Sequence, residues 1–211
     1  GPDDAVLIDF DLDQRNANFV RFDFGEIQGR VTYDDKRDLI LIPHMKGRHG
    51  DAAFEVSGKV GLDSSNKIEL NAGFEECPPD DLFAIFAHQL EKISWIPRGM
   101  TGSISGKTRV GGHYTDGLNT LEIDARVTGT GLTYKGETVQ EVAAHAGVSG
   151  GVAFAHEVRG RKYETPISGE IDYDLRTDVM RYRLDSAKGK LRNLDFLTAM
   201  ELPLDGLYTF H

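Results

Sequence analysis

Paired carboxylates are the first residues in this chain that could do chemistry. Asp9, Asp11 and Asp13 stand two apart, and so do Asp172 and Asp174. In a strand, residues i and i+2 share a face about 7 Å apart, a spacing that suits calcium or a glycosidase pair. Each carboxylate, however, alternates with an apolar residue: Ile8, Phe10 and Leu12 in the first run, Ile171, Tyr173 and Leu175 in the second. That is the wet face of a half-buried strand, so no catalytic pair is assigned. The histidines, seven in all, raise the question of a metal. His44 and His49 flank a turn, and His145 and His156 fall on separate predicted strands. None has H-x-H or H-x-x-x-H spacing and no thiol stands with them, so no metal site is expected.

Phosphate and nucleophile motifs fail in the same way. Gly106-Lys107-Thr108 resembles the end of a phosphate loop, but Thr101 stands where the loop needs its first glycine. Arg109-Val110-Gly111-Gly112 follows where a helix should begin. Gly129-Thr130-Gly131 lacks the third glycine of a dinucleotide fold. Ser57-Gly58 and Ser168-Gly169 lack the setting of a nucleophile elbow. The single cysteine, Cys77, excludes an intrachain disulfide, and its neighbours Glu75 and Glu76 should raise its pKa and blunt it as a nucleophile. The expectation is a non-enzymatic chain with no cofactor.

Composition narrows the partners. A net charge of −10 argues against nucleic acid or an anionic membrane surface. The 39% hydrophobic and 27% charged content is that of a folded chain. No apolar run reaches the roughly 18 residues that would span a bilayer. Gly1-Pro2 reads as the scar of a removed tag and the chain as an excised fragment, with any anchor or export signal outside it.

Strands must carry whatever the chain does. Val6, Ile8, Phe10 and Leu12 share one face. Phe22 and Phe24 lead to Ile27, Val31 and Tyr33. Leu39-Ile40-Leu41-Ile42 is a continuous apolar run, as in a strand covered on both sides. Ala52 to Val56, Val60/Leu62, Ile68/Leu70, Ile104 to Val110, Leu121 to Val127, Leu132/Tyr134, Val139 to Ala146, Val152 to Val158 and Met180/Tyr182/Leu184 continue the series. Leu82, Phe83, Ile85, Phe86, Leu90 and Ile93 instead mark one helical face, capped by Asp80 or Asp81 and stopped by Pro97, which predicts a helix over 80–94. A shorter helix is predicted over 193–201, ended by Pro203. Glycine occurs 24 times, often inside strands, where it marks bulges and curvature.

A phrase also recurs. Ser57-Gly58 opens a stretch that alternates through Val60, Leu62, Ile68 and Leu70, turns helical and ends at Trp95-Ile96-Pro97. Ser168-Gly169 opens another, through Ile171 and Tyr173, ending at Leu202-Pro203. Two similar units are therefore expected, 3–100 and 101–211, each ending in a helix. The fold class is mainly β with two short helices: a curved, elongated antiparallel sheet, either a trough or an open sandwich.

The G-x-Φ-x-G strand starts, the Ser-Gly openings and the stretches 95–106, 127–136 and 194–206 resemble the bacterial AsmA/TamB-like envelope proteins over most of residues 25–211. This resemblance implies a trough with an apolar interior, a periplasmic location, and a membrane anchor outside the fragment. It also implies phospholipid carried between inner and outer membranes, and it brings no catalytic residues. Groove candidates are one face of the alternating strands: Val56, Val60, Leu62, Ile68, Leu70, Leu121, Ile123 and Val127. Phospholipid, or another acyl-chain ligand, is the expected partner, with other envelope proteins beside it. The alternative is a β-sandwich scaffold or adhesin-like interaction module, whose core would fill the same face.

Overall fold

The computed structural model describes residues 6–19, 22–85, 98–115 and 117–185. They form one antiparallel sheet of eleven strands, paired in strict chain order and left open. The strands are β1 (Leu7–Phe19), β2 (Phe22–Asp34), β3 (Leu39–His49), β4 (Ala52–Gly61), β5 (Lys67–Cys77), β6 (Thr101–His113), β7 (Leu121–Tyr134), β8 (Glu137–Ser149), β9 (Val152–Lys162), β10 (Thr165–Asp174) and β11 (Val179–Asp185). One helix, α1 (Pro79–Ile85), follows β5, and a single 3₁₀ turn, Leu118–Thr120, precedes β7. The rest of the helix expected over 80–94 lies outside the described residues, as does all of the helix expected over 193–201.

The strands are longer than the alternation predicts, because internal glycines bend them without ending them. Leu121 to Val127 and Leu132/Tyr134 read as two strands, yet Gly129 and Gly131 lie inside one, β7. Ala52 to Val56 and Val60 likewise join in β4 across Gly58. Ladder bonding to both neighbours, with one irregular residue, holds a strand together better than propensity alone suggests. Ser57-Gly58 and Ser168-Gly169 therefore lie inside β4 and β10 and open neither. β6 begins at Thr101, where the second unit is expected to start, and pairs with β5 from Lys67↔His113 to Cys77↔Ile104.

Two hairpins use the same turn. Gly29 to Ile40 (GRVTYDDKRDLI) and Gly169 to Met180 (GEIDYDLRTDVM) share a tyrosine, a following aspartate and a second aspartate five positions after the tyrosine. Asp34 accepts the Arg37 N–H at 3.1 Å, and Asp174 accepts the Arg176 and Thr177 N–H groups at 2.9 and 3.2 Å. Asp38 and Asp178 take the left-handed conformation that closes each turn. Tyr33 and Tyr173 reach over to those same aspartates.

Among the described residues, most buried side chains gather near the ends of the strands. Leu118, Leu121, Val148 and Tyr173 are buried at one end of β7–β10, and Ala52, Cys77 and Pro79 are buried where α1 lies against β6 and β2. Between these clusters the sheet is a single layer among the described residues.

Candidate functional site

Register assigns every side chain to one of two faces, because cross-strand partners point the same way. One face is apolar. Its rows run across the strands. Ile40, Val60, Ile68, Gly112 and Leu121 form the first. Ile42, Gly58, Leu70, Val110, Ile123, Val148, Ala153, Tyr173 and Met180 form the second. The third runs through Met45, Val56, Ala72, Thr108, Ala125, Ala146, Ala155, Ile171 and Tyr182. The fourth holds Gly47, Phe54, Phe74, Gly106, Val127 and Ala144. Ile8, Phe10 and Leu12 of β1 and Val31 and Tyr33 of β2 extend the same face. No charged side chain stands in these rows.

The third row is a shallow lane. From β5 to β9 its floor is Ala72, Thr108, Ala125, Ala146 and Ala155, spanning about 19 Å at the usual strand spacing. Leu70, Val110, Ile123 and Val148 rise on one side of it and Phe74 and Val127 on the other. Glycine shapes the second wall. A Cβ on Gly47 would fall 2.0 Å from the Phe54 ring, and one on Gly106 would meet the Arg126 carbonyl oxygen at 2.5 Å. The Thr108 hydroxyl is buried in the floor without a hydrogen-bond partner.

Seven of the eight groove candidates share this face: Val56, Val60, Ile68, Leu70, Leu121, Ile123 and Val127. Leu62 lies just past β4, outside the ladder and 44% exposed, its N–H donated to the Asp38 carbonyl at 2.7 Å. Leu39 and Leu41, expected in a strand covered on both sides, lie on the opposite face from Ile40 and Ile42, across from Gly61 and Lys59. Ala72, Ala125, Ala146 and Ala155 escape sequence reasoning, because alanine carries little hydrophobic weight and only register lines the four up.

The other face is charged and self-paired. Asp9 accepts from the Thr32 hydroxyl, Asp11 pairs with Arg30 at 3.0 Å, Lys59 with Glu69 at 2.9 Å and Arg161 with Glu141 at 3.3 Å. His145 and His156, cross-strand partners, contact Asp124 at 3.0 Å and Asp172 at 2.7 Å, with the Phe154 ring beside both. These carboxylates are thus engaged with cations, imidazoles and hydroxyls, and no group of three metal-ligating side chains is found among the described residues. An open groove of about 870 Å³ crosses β4–β7 on this face, lined by Glu55, Asn71, Lys107, Arg109, Asp124 and Arg126 among others. Hydrocarbon laid there would strip water from charges, a heavy desolvation cost, so the apolar face is the candidate site.

Cys77 is buried beside α1, and burial, with the Asp81 carboxylate second, pushes its thiol up to about 11. The direction matches the expectation, but the cause is burial and Asp81, not Glu75 and Glu76. No helix among the described residues is long and apolar enough to cross a membrane. No family model matches the chain, and neither does any curated protein or solved structure.

Proposed function

We propose that this chain shields lipid acyl chains on the apolar face of its sheet, as one segment of an AsmA/TamB-like bridge in the periplasm. On this reading phospholipid slides between the inner and outer membranes without its tails meeting water, and the chain performs no catalysis. The observation that supports it is the run of apolar rows through all eleven strands with no charge among them. A face about 48 Å wide and three or four side chains deep is on the order of 1,000 Å², more than the 300–600 Å² patch of an ordinary monomer. Each CH₂ laid on it contributes about 0.8 kcal/mol. The lane of small residues runs across the strands, so a tail lying in it would pass from strand to strand along the axis in which such a sheet grows. A sandwich scaffold would need a second sheet over this face, and all the described strands belong to one.

Two measurements test the proposal. Mass spectrometry of the gently purified protein is expected to find co-purified phospholipid. After delipidation, a fluorescent fatty acid should bind and be displaced by phospholipid. Absence of both lipid and probe binding would sink the reading.

A further inference from the structure

One part of the charged face does not pair with itself, and we infer that it binds a phosphate-type anion. Register sets Lys107 of β6 directly opposite Arg126 of β7, with Arg109 two residues further along the same face of β6. Like charges set against each other across a strand pair repel. Elsewhere on this face the opposed cation meets a carboxylate: Lys59 meets Glu69, Arg30 meets Asp11 and Arg161 meets Glu141. Lys107 meets another cation. The carboxylates nearby are engaged or fall short. Asp124 stands across from Arg109 but bonds His145 at 3.0 Å, which leaves Arg109 with the Asn71 amide oxygen at 3.5 Å. Arg126 reaches Glu157 only at 3.7 Å, with the two side chains 70% and 62% exposed, so solvent screens the pair. Glu55 leans over Gly73, where an added Cβ would lie 3.1 Å from its carboxylate oxygen, yet it forms no ion pair with Lys107. Among the described residues Lys107 has neither a hydrogen bond nor an ion pair.

All three cations line the open groove of about 870 Å³ that crosses β4–β7. Gly73, the β5 neighbour of Lys107, carries no side chain, so the groove stays open beside the ammonium. The two arginines offer planar forks that match phosphate oxygens, and Lys107 adds a compact charge. Ser105 lines the same groove. Its hydroxyl accepts the Glu76 N–H at 3.0 Å and keeps its own proton to donate. A tetrahedral anion held between Lys107 and Arg126 would turn their repulsion into shared attraction. Gly106-Lys107-Thr108 is no phosphate loop, because it lies in the middle of β6. Its lysine gains anion chemistry only from the arginine that register brings beside it. The groove opens on the face opposite the acyl lane, so this site does not depend on the lipid reading.

Backbone-amide NMR of the whole chain, titrated with inorganic phosphate at neutral pH and constant ionic strength, tests the site. The amides of Lys107, Arg109 and Arg126 are expected to shift saturably, with a dissociation constant of about 1–10 mM, the level an exposed and screened site can reach. Lys107→Ala and Arg126→Ala should each weaken binding about fivefold or more. Glu55→Gln removes the competing carboxylate and should tighten binding about twofold or more. Arg30→Ala, a cation of the same face outside the groove, should change nothing. Glycerophosphoglycerol, a phospholipid headgroup without its tails, is the second probe. Tighter binding than phosphate assigns the site to headgroups, and weaker binding assigns it to free phosphate and its monoesters. Lys107, Arg126 and Glu55 are all exposed, so each variant should keep the wild-type spectrum; if one does not fold, the other two still decide. Absence of saturable shifts up to about 50 mM phosphate, roughly five times the weakest expected constant, overturns the inference. So does binding that all three groove variants leave untouched.

Discussion

The two faces of this sheet are made by the same strands and held by opposite physics. On the apolar face, Leu70, Val110, Ile123 and Val148 stand in one row across four strands, and neighbours exclude water from one another. On the charged face the same backbone carries Lys59–Glu69 and Arg30–Asp11, both open to solvent, where screening leaves such pairs worth little. Stability should therefore depend steeply on what is placed on one face and hardly at all on the other.

The largest effect should come from putting charge into the lane. Ala125→Asp is expected to destabilise by about 2–4 kcal/mol in urea unfolding, whereas Thr128→Asp, on the same strand but the charged face, should stay within about 0.5 kcal/mol. Equal effects would erase the distinction. Gly47→Ala comes next: its new methyl meets the Phe54 ring on the apolar face, and a loss of about 1–3 kcal/mol is expected. Gly136→Ala, in a turn with nothing near it, tests backbone strain alone and should cost less.

The twin hairpins sharpen the comparison further. Tyr173 is buried and donates to Asp178 at 2.5 Å, while Tyr33 reaches Asp38 only at 3.4 Å. Tyr173→Phe should cost about 1 kcal/mol by thermal melting and Tyr33→Phe less than half of that. A reversed order would mean that burial does not set the value of this turn.

The smallest effects belong to acid. Hydrogen bonds from Ser65 to Asp63, from the Arg176 N–H to Asp174, and from Ser149 and the Gly150 N–H to Glu122 hold these carboxyls below their ordinary values. A depressed folded pKa gives stability that is fully present above the unfolded value, about 4, and is lost as pH falls through the folded value. The melting temperature should therefore fall below about pH 4, and Asp174→Asn should make that fall shallower. An unchanged acid slope in that variant would deny Asp174 its part. Cys77 gives a chemical check at the helix end of the sheet. It should resist iodoacetamide at pH 8 in the folded protein and react freely in urea.

Alternation in the sequence carried the elements well. The pattern around Leu121, Ile123, Ala125 and Val127 is legible without coordinates, because period two is a property of the strand backbone. It placed seven groove candidates on one face, since residues of like parity in adjoining strands stay together once antiparallel register is set. It failed at Gly129 and Gly58, where glycine reads as a terminator but the ladder carries the chain through. It also missed the shared Tyr-Asp turn of Tyr33 and Tyr173, whose spacing gains meaning only when both tyrosines close hairpins.

By itself, then, the sequence determined that the chain is β-rich, that each strand has a wet side and an oily side, and that its carboxylates alternate with apolar residues. Tertiary structure alone decided that all eleven strands share one sheet. It likewise decided that Ala72, Ala125, Ala146 and Ala155 line up as a floor. The reason is physical: side-chain alternation is local, set by a few bonds of one strand, whereas a row across strands exists only when pairing far along the chain fixes the register.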